Sequence, residues 1–477
     1  MNDLSSQLVI PEQEKTHKQG RGSVLLSKTL ALLRQTEISY NRLIPSDIIS
    51  LLNRDSIADV KLGDQVERKL TVMFADIRGF TSLSESMTPA ENFDFINAYF
   101  GLMNPVISKH NGIIDKYMGD AIMAVFPRCA DDALACAIDM LKTLERFNAD
   151  PLNADREPIQ IGIGLNTGIA MIGIVGGESR MDSTVIGDTV NLSARIQDLA
   201  KTYQTPLLIS KSTLNCLADP SQYNIRFLDR IRVKGKTQSL SLYEVFDNDN
   251  DDLRNGKNAS QSLFEKAVAY YHMRQIPRAV DFLNHCLEIA PEDTVAQIYL
   301  DRCEEYLDSG QHYGSDELNH PLEWKNEYQI GIPLLDTAHA NLFEQINKFI
   351  SQITEDEGGD SYPNLFNLIA SRTAQIKSTL YFELFNHLES YVQRLFPEEE
   401  AMMDSNGYPF VNVQALEHKT FIQEFTELRK EIEAGIDDPV FLFFRIQVML
   451  FDWFCHHISR NDRHFSRYLA NLKPQLG

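Results

Sequence analysis

Between residues 69 and 172 the apolar side chains alternate between the two-residue repeat of a strand and the 3.6-residue repeat of a helix, which restricts the fold more than any other feature. The order is strand 69–76, helix 89–110, strands 112–118 and 121–126, helix 130–147 and strand 158–172. This βαββαβ order predicts a split sheet covered by helices, an α/β sandwich. The run Thr88-Pro89-Ala90-Glu91 supplies a capping hydroxyl, a proline for the first turn and a reciprocal glutamate, so the first helix has a well-marked start.

Two aspartates stand where strands leave the core. Asp76 follows Leu70, Val72 and Phe74 on one alternating face, and Gly119-Asp120 separates two alternating stretches as a two-residue hairpin turn does. Magnesium and similar hard cations take oxygen ligands, often one or two carboxylates with water and substrate phosphate completing the shell. Each aspartate alone is equally well read as a helix cap or a turn residue.

A chain of 477 residues exceeds one core, and two to four domains are expected. Its 67 acidic against 45 basic residues give a formal charge of −22, and no Lys/Arg-rich block is present, which argues against nucleic acid as a partner. The longest apolar stretch, VFLFFRIQVMLFDWF, contains Arg445 and Asp452 and reads as a core helix, not a membrane span. The N-terminus lacks a basic region followed by an apolar one, so no secretory signal is expected and the reading is cytoplasmic. Cysteines 129, 136, 216, 286, 303 and 455 form no CxxC pair, as fits reduced thiols.

The chain divides by pattern into a disordered lead-in at 1–23, a helical lead-in at 24–64, the ferredoxin-like α/β sandwich at 65–246 and an acidic linker at 247–260, followed by helical segments. Residues 261–310 show two to three helices resembling one tetratricopeptide (TPR) unit, which needs neighbours to bury its faces and is expected to pack on an adjacent domain. From 320 to 472 come four periodic segments, about 334–352, 361–394, 398–430 with an interruption at NGYPF, and 438–470, the pattern of a four-helix bundle. The fold class is therefore an α+β domain followed by all-α regions. Eight of the twelve histidines lie after residue 310, so imidazole chemistry is to be sought there.

VIGDTVNLSARI opens a helix carrying Asn191 and Arg195 four apart on one face. Lys234 lies in the glycine-flanked turn RVKGK, and Lys116 stands four residues before Asp120. Taken singly, a surface ion pair, a solvated turn and an exposed strand position account for these cations. As a set, FADIRGFTSLSE, DKYMGDAIMAVF, IGIGLNTG and VIGDTVNLSARI resemble the class III nucleotide cyclase catalytic domain over about 65–246.

The resemblance implies a homodimer with composite sites at its interface. Asp76 and Asp120, with the Ile77 carbonyl, would hold two Mg2+ or Mn2+ ions. Asn191 and Arg195 would orient the ribose and stabilise charge on the reacting phosphate, and Lys234 would contact the terminal phosphates. Lys116 and Thr184 resemble the purine-reading pair. Lysine donates to a ring nitrogen of adenine and the threonine hydroxyl accepts from its exocyclic amine, where guanylate-specific members present Glu in place of Lys116. ATP is the expected substrate, and threonine at position 184 resembles a subset stimulated by bicarbonate.

In the C-terminal region WKNEYQIGIPLLDTAH, YVQRLFPEEEAMM, NGYPF, LEHKTF and WFCHHISRND resemble a bacterial hemerythrin domain, a four-helix bundle around a di-iron centre. The match leaves His339, Glu399, His418, His457 and Asp462 at ligand positions, while Leu395 and Gln414 replace histidines that serve different irons. A di-iron oxygen carrier is not expected. His418 and His457 with Glu399 or Asp462 still make two imidazoles and a carboxylate, enough for a single iron or another transition metal and hence for an O2 or redox ligand; a metal-free bundle is the alternative. The combined expectation is an adenylate cyclase homodimer regulated by its C-terminal bundle. A guanylate cyclase or a non-catalytic dimeric sensor is the competing reading.

Overall fold

The computed structural model describes residues 46–150, 157–177, 179–232, 239–311, 326–354, 374–435 and 438–472, with 32, 35, 313 and 324 besides. The lead-in at 1–23, Lys234 and the segment 361–373 lie outside the described residues.

Strands β1 (Gln65–Ile77), β2 (Ile113–Met118), β3 (Ala121–Phe126), β4 (Ile161–Gly177), β5 (Arg180–Ile186), β6 (Leu207–Ser210), β7 (Ile225–Arg232) and β8 (Ser239–Val245) form one sheet. Its order is β2-β3-β1-β4-β6-β8-β7, with β5 paired to β4 off this path. The strand and helix positions agree with the apolar periods to within a few residues, and the mixed α/β architecture follows.

β1 is central because it is apolar on both faces. Leu70, Val72 and Phe74 pack with Ile48 of α1 (Ser46–Leu51) and with Leu52 just after it, while Met73, Ala75 and Ile77 face the opposite core. That opposite core includes Tyr99, Met103 and Ile107 of one helix and Leu134 and Met140 of another. α2 (Phe80–Glu85) follows β1, and these two helices are α3 (Pro89–Lys109) and α4 (Ala130–Ala149). Thr88 and Glu91 form the expected reciprocal cap on α3.

Helix α5 (Asp188–Thr202) lies close against β4. A Cβ on Gly164 would meet the Gln197 backbone nitrogen at 2.3 Å, so only glycine admits this approach. Ser193 Oγ then donates into the sheet, to the Val72 carbonyl at 2.7 Å. The short α6 (Lys211–Leu214) follows β6.

The acidic run at 247–260, expected to be a linker, is helical over most of its length. α7 runs Asp251–His272, capped by Asn250, with Asp251 and Asp252 in the first turn where carboxylates favour a helix. With α8 (Ile276–Ile289) and α9 (Thr294–Ser309) it makes three helices that share one apolar core with α5 and with β6, β7 and β8. The segment therefore packs on the sheet domain, as expected of a unit unable to stand alone.

A buried ion network joins the two. Arg226 on β7 donates to Glu244 on β8 at 2.6 Å and to both Asp293 oxygens at 2.6 and 2.8 Å. Lys257, within the supposed linker, reaches Glu244 at 2.8 Å and Asp249 at 2.6 Å. Beside it Asp229 accepts from His272 at 2.8 Å, Arg302 at 3.1 Å and the Tyr203 hydroxyl.

The C-terminal region comprises α10 (Pro333–Thr354), α11 (Ala374–Ser405), α12 (Val411–Ala434), α13 (Pro439–His456), a π-helical turn His457–Asp462 and α14 (Arg463–Leu472). One boundary differs from the sequence reading: α11 is continuous across 394–398, Pro397 included, while the interruption at NGYPF stands as read, with Gly407 at φ 65°. A glycine just past a helix end favours that left-handed conformation. Among the described residues, no helix is long and apolar enough to cross a membrane.

Candidate functional site

The β2–β3 turn and the end of β1 bring the first two carboxylates together. Gly119 adopts φ 68°, which closes the two-residue turn between paired Met118 and Ala121 and raises Asp120 at its tip. Asp120 Oδ2 accepts from the Ile77 backbone N–H at 3.3 Å, placing it beside Asp76. Burial, and the facing Asp120 carboxylate, push the Asp76 carboxyl up to about 7. Two carboxylates that repel each other on rigid supports have the donor chemistry of a divalent cation site, and the residues fit that group.

Arg78 was not singled out in the sequence, although it lies in the quoted motif DIRGF. Its guanidinium donates to the Ala200 and Thr205 carbonyls at 3.0 and 2.7 Å, which ties the end of β1 to the end of α5.

On β2, Lys116 donates to the Thr184 hydroxyl of β5 at 2.8 Å and pairs with Asp115 at 3.2 Å. Asp115 sits at the irregularity of the β2–β3 register, its side chain fully buried. Burial pushes its carboxyl up while Lys116 opposes the shift. The structure thus joins Lys116 and Thr184, and a third member, Asp115, escaped the sequence because only the bulge turns it inward.

Asn191 is exposed and Arg195 partly exposed on α5. The helix start is fixed by Thr189, whose hydroxyl donates to the Ile169 carbonyl at 2.8 Å and whose own carbonyl accepts from Asn166 at 3.0 Å.

A second polar cluster occupies the C-terminal helices. Glu399, His418 and His457 are buried and offer ligand atoms all within 4.8 Å of one another. His339 and Asp462 adjoin them, their nearest atoms 3.5 Å apart. Leu395 is apolar and buried, and Gln414 fills its position as a donor, reaching Asp462 at 2.7 Å, His457 at 3.2 Å and Glu399 at 3.3 Å. His418 Nδ1 lies 2.7 Å from Glu400, which turns its Nε2 inward as an outer carboxylate does for a ligating imidazole.

Yet Glu399 Oε2, Asp462 Oδ2 and both nitrogens of His339 are buried without a hydrogen-bond partner. Such a donor set suits one transition-metal ion. Burial pushes the His339 imidazole down to about 4, so it is neutral at ordinary pH. His387 stands apart from this cluster; His456 meets Ser212 at 3.3 Å, and His464 meets Tyr408 at 2.7 Å.

Residues 63–245 match the family described as the adenylate and guanylate cyclase catalytic domain. An adenylate cyclase of Anabaena cylindrica is 40% identical over 229 residues, covering 47% of this chain and 46% of that protein. The terminal-differentiation-specific adenylate cyclase of Dictyostelium discoideum is 34% identical over 285 residues, 58% of this chain and 13% of that protein. Among solved structures, the guanylyl cyclase Cya2 is 34% identical, with 39% of this chain and 94% of that chain covered at a TM-score of 0.34. The chain spans less than half the length of the two adenylate cyclases it matches.

Proposed function

We propose, from the premise that residues 63–245 are a class III adenylate and guanylate cyclase catalytic domain, that the chain converts ATP to 3′,5′-cyclic AMP and pyrophosphate as a homodimer. The convergence of Asp76 and Asp120 at neighbouring strand ends of the sheet carries this reading. Divalent ions held there would lower the pKa of the ribose 3′ hydroxyl and neutralise the leaving phosphates. The chain's own side chains do the rest. Arg195 offers donors where charge accumulates on the α-phosphate, Asn191 orients the ribose, and Lys234 contacts the terminal phosphates.

Lys116 and Thr184 select adenine. The lysine donates to a ring nitrogen and the hydroxyl accepts from the exocyclic amine; the hydrogen bond between them sets the two side by side. With the carboxylates from one subunit and the base and phosphate contacts from the other, a symmetric dimer has two sites.

Mixing tests this division. An Asp76→Ala chain and an Arg195→Ala chain, each inactive alone, should regain part of the wild-type rate when combined, because one of the two sites in the mixed dimer is intact. A mixture as inactive as its components would refute the shared site.

The C-terminal helices we read as a hemerythrin-like four-helix bundle with one metal rather than two, held by Glu399, His418 and His457 with His339 and Asp462 in reach. The helices α7 to α9 are read as a single TPR-like unit serving as a packing connector. Buried Leu395 and the donor Gln414 supply no imidazole to a second ion.

A further inference from the structure

Between α13 and α14 the chain opens into the π-helical turn His457–Asp462. Such wide turns are uncommon and cluster at functional positions. Its first and last residues, His457 and Asp462, are buried in the polar cluster with Glu399 and Gln414. Arg460 points the other way, and its guanidinium meets Asp188 at 2.9 Å.

Asp188 is the first residue of α5, and Asn191 and Arg195 follow on the same helix. Gly187, at the cap position, has no side chain to satisfy the first turn. Thr189 ties this turn to β4 on its inner side, leaving Asp188 as the outer hold. Around the Arg460 contact lies a cleft of about 390 Å³, lined among others by Lys69, Asp188, Glu417 and Arg467. Across it His464 meets Glu67 at 3.2 Å, and at a separate cleft Lys211 pairs with Glu424. Val190 and Ala194 pack on the sheet core and hold the inner face of this turn, so the Arg460 pair acts on its outer, solvent side.

We propose that Arg460 is a positioning residue for the cyclase reaction, fixing through Asp188 the start of the helix that presents Asn191 and Arg195. The proposal rests on the catalytic reading of residues 63–245. Because His457 and Asp462 end the same turn that carries Arg460, any change in the polar cluster's geometry moves the arginine, and with it the catalytic helix. The C-terminal region is thereby wired to the phosphate-stabilising side of the site.

The test uses the full chain with Arg460→Ala, Arg460→Lys, Asp188→Asn and the Arg460→Ala/Asp188→Asn double variant. Cyclic nucleotide formation is measured with manganese, and amide exchange across residues 188–195 by mass spectrometry. Arg460→Ala should lower kcat about tenfold with KM for ATP within about twofold, as small misplacements of transition-state groups do. Arg460→Lys should recover part of the loss, and the double variant should be no worse than either single change.

Exchange across 188–195 should rise in Arg460→Ala with the rest of the sheet unchanged. An active wild type with normal kcat and unchanged exchange in Arg460→Ala overturns the proposal and leaves the catalytic reading standing. A folded but inactive wild type overturns the catalytic reading and this inference with it. Should Arg460→Ala fail to fold, the charge exchange Arg460→Asp/Asp188→Arg decides: recovery of exchange protection supports the pair, and its absence sinks it.

Discussion

The Lys116 ammonium donates to the Thr184 hydroxyl at 2.8 Å, joining two strands that are 68 positions apart in sequence. The same lysine is held by buried Asp115 at 3.2 Å, so its position is set from both sides. Lys116→Glu removes the adenine donor and confronts Asp115 with a second carboxylate. The expected result is a fall in kcat/KM for ATP of about 100-fold, on the scale of losing a specific hydrogen bond in a site built for it, together with a lowered Tm. Initial rates with ATP and GTP, and a thermal melt, check both parts.

The Asp76 carboxyl, pushed up to about 7 by burial and by Asp120, makes metal use depend on pH. Below that value the ion must displace a proton from Asp76, and above it the carboxylate is already charged. The apparent manganese affinity is therefore expected to fall about tenfold per pH unit below 7 and to level off above it. Manganese titrations of the rate between pH 6 and 8.5 check this, and Asp76→Asn should abolish both the dependence and the activity.

Glu244 is fully enclosed, and although burial opposes its charge, Arg226 and Lys257 hold its carboxyl down at about 2. A carboxyl depressed in the folded state stabilises above its unfolded pKa, and that contribution, on the order of 3 kcal/mol, is lost as pH falls from about 4.5 toward 2. Breaking the network by Arg226→Met leaves Glu244 and Asp293 short of their shared cation and should cost about 3–5 kcal/mol. Chemical denaturation at pH 7 and at pH 3.5 checks both, with a smaller mutant effect expected at the lower pH.

Metal content separates the C-terminal readings. Protein purified under reducing conditions should carry about one transition-metal ion per chain, and His457→Ala or Glu399→Gln should lower that content severalfold. Near-zero metal in the unaltered chain would leave the cluster as a hydrogen-bonded polar core held by Gln414.

Much of the sandwich was legible because its strands and helices keep their periods for long stretches, and because Asp76 and Asp120 sit at strand ends where period and turn chemistry agree. What escaped depended on distant pairing. The run at 247–260 is polar enough to suggest a linker, yet Lys257 is buried by Glu244 and Asp249, which no local window contains. The gap read between 394 and 398 is helical in the structure, with Pro397 inside α11. Asp115 and Arg460 look like ordinary surface charges in the sequence; a bulge in one case and a π-helical turn in the other aim them at their partners. The polar cluster was visible only through the resemblance to a hemerythrin domain, and Gln414 as its shared donor emerged from geometry.

The most direct measurement is product formation by the purified full chain given ATP and manganese, with cyclic AMP and pyrophosphate quantified together. Equal amounts of the two, absent in Asp120→Ala and in Arg195→Ala chains of wild-type stability, are the expected result. A folded, dimeric chain that releases neither product from ATP or GTP would contradict the account.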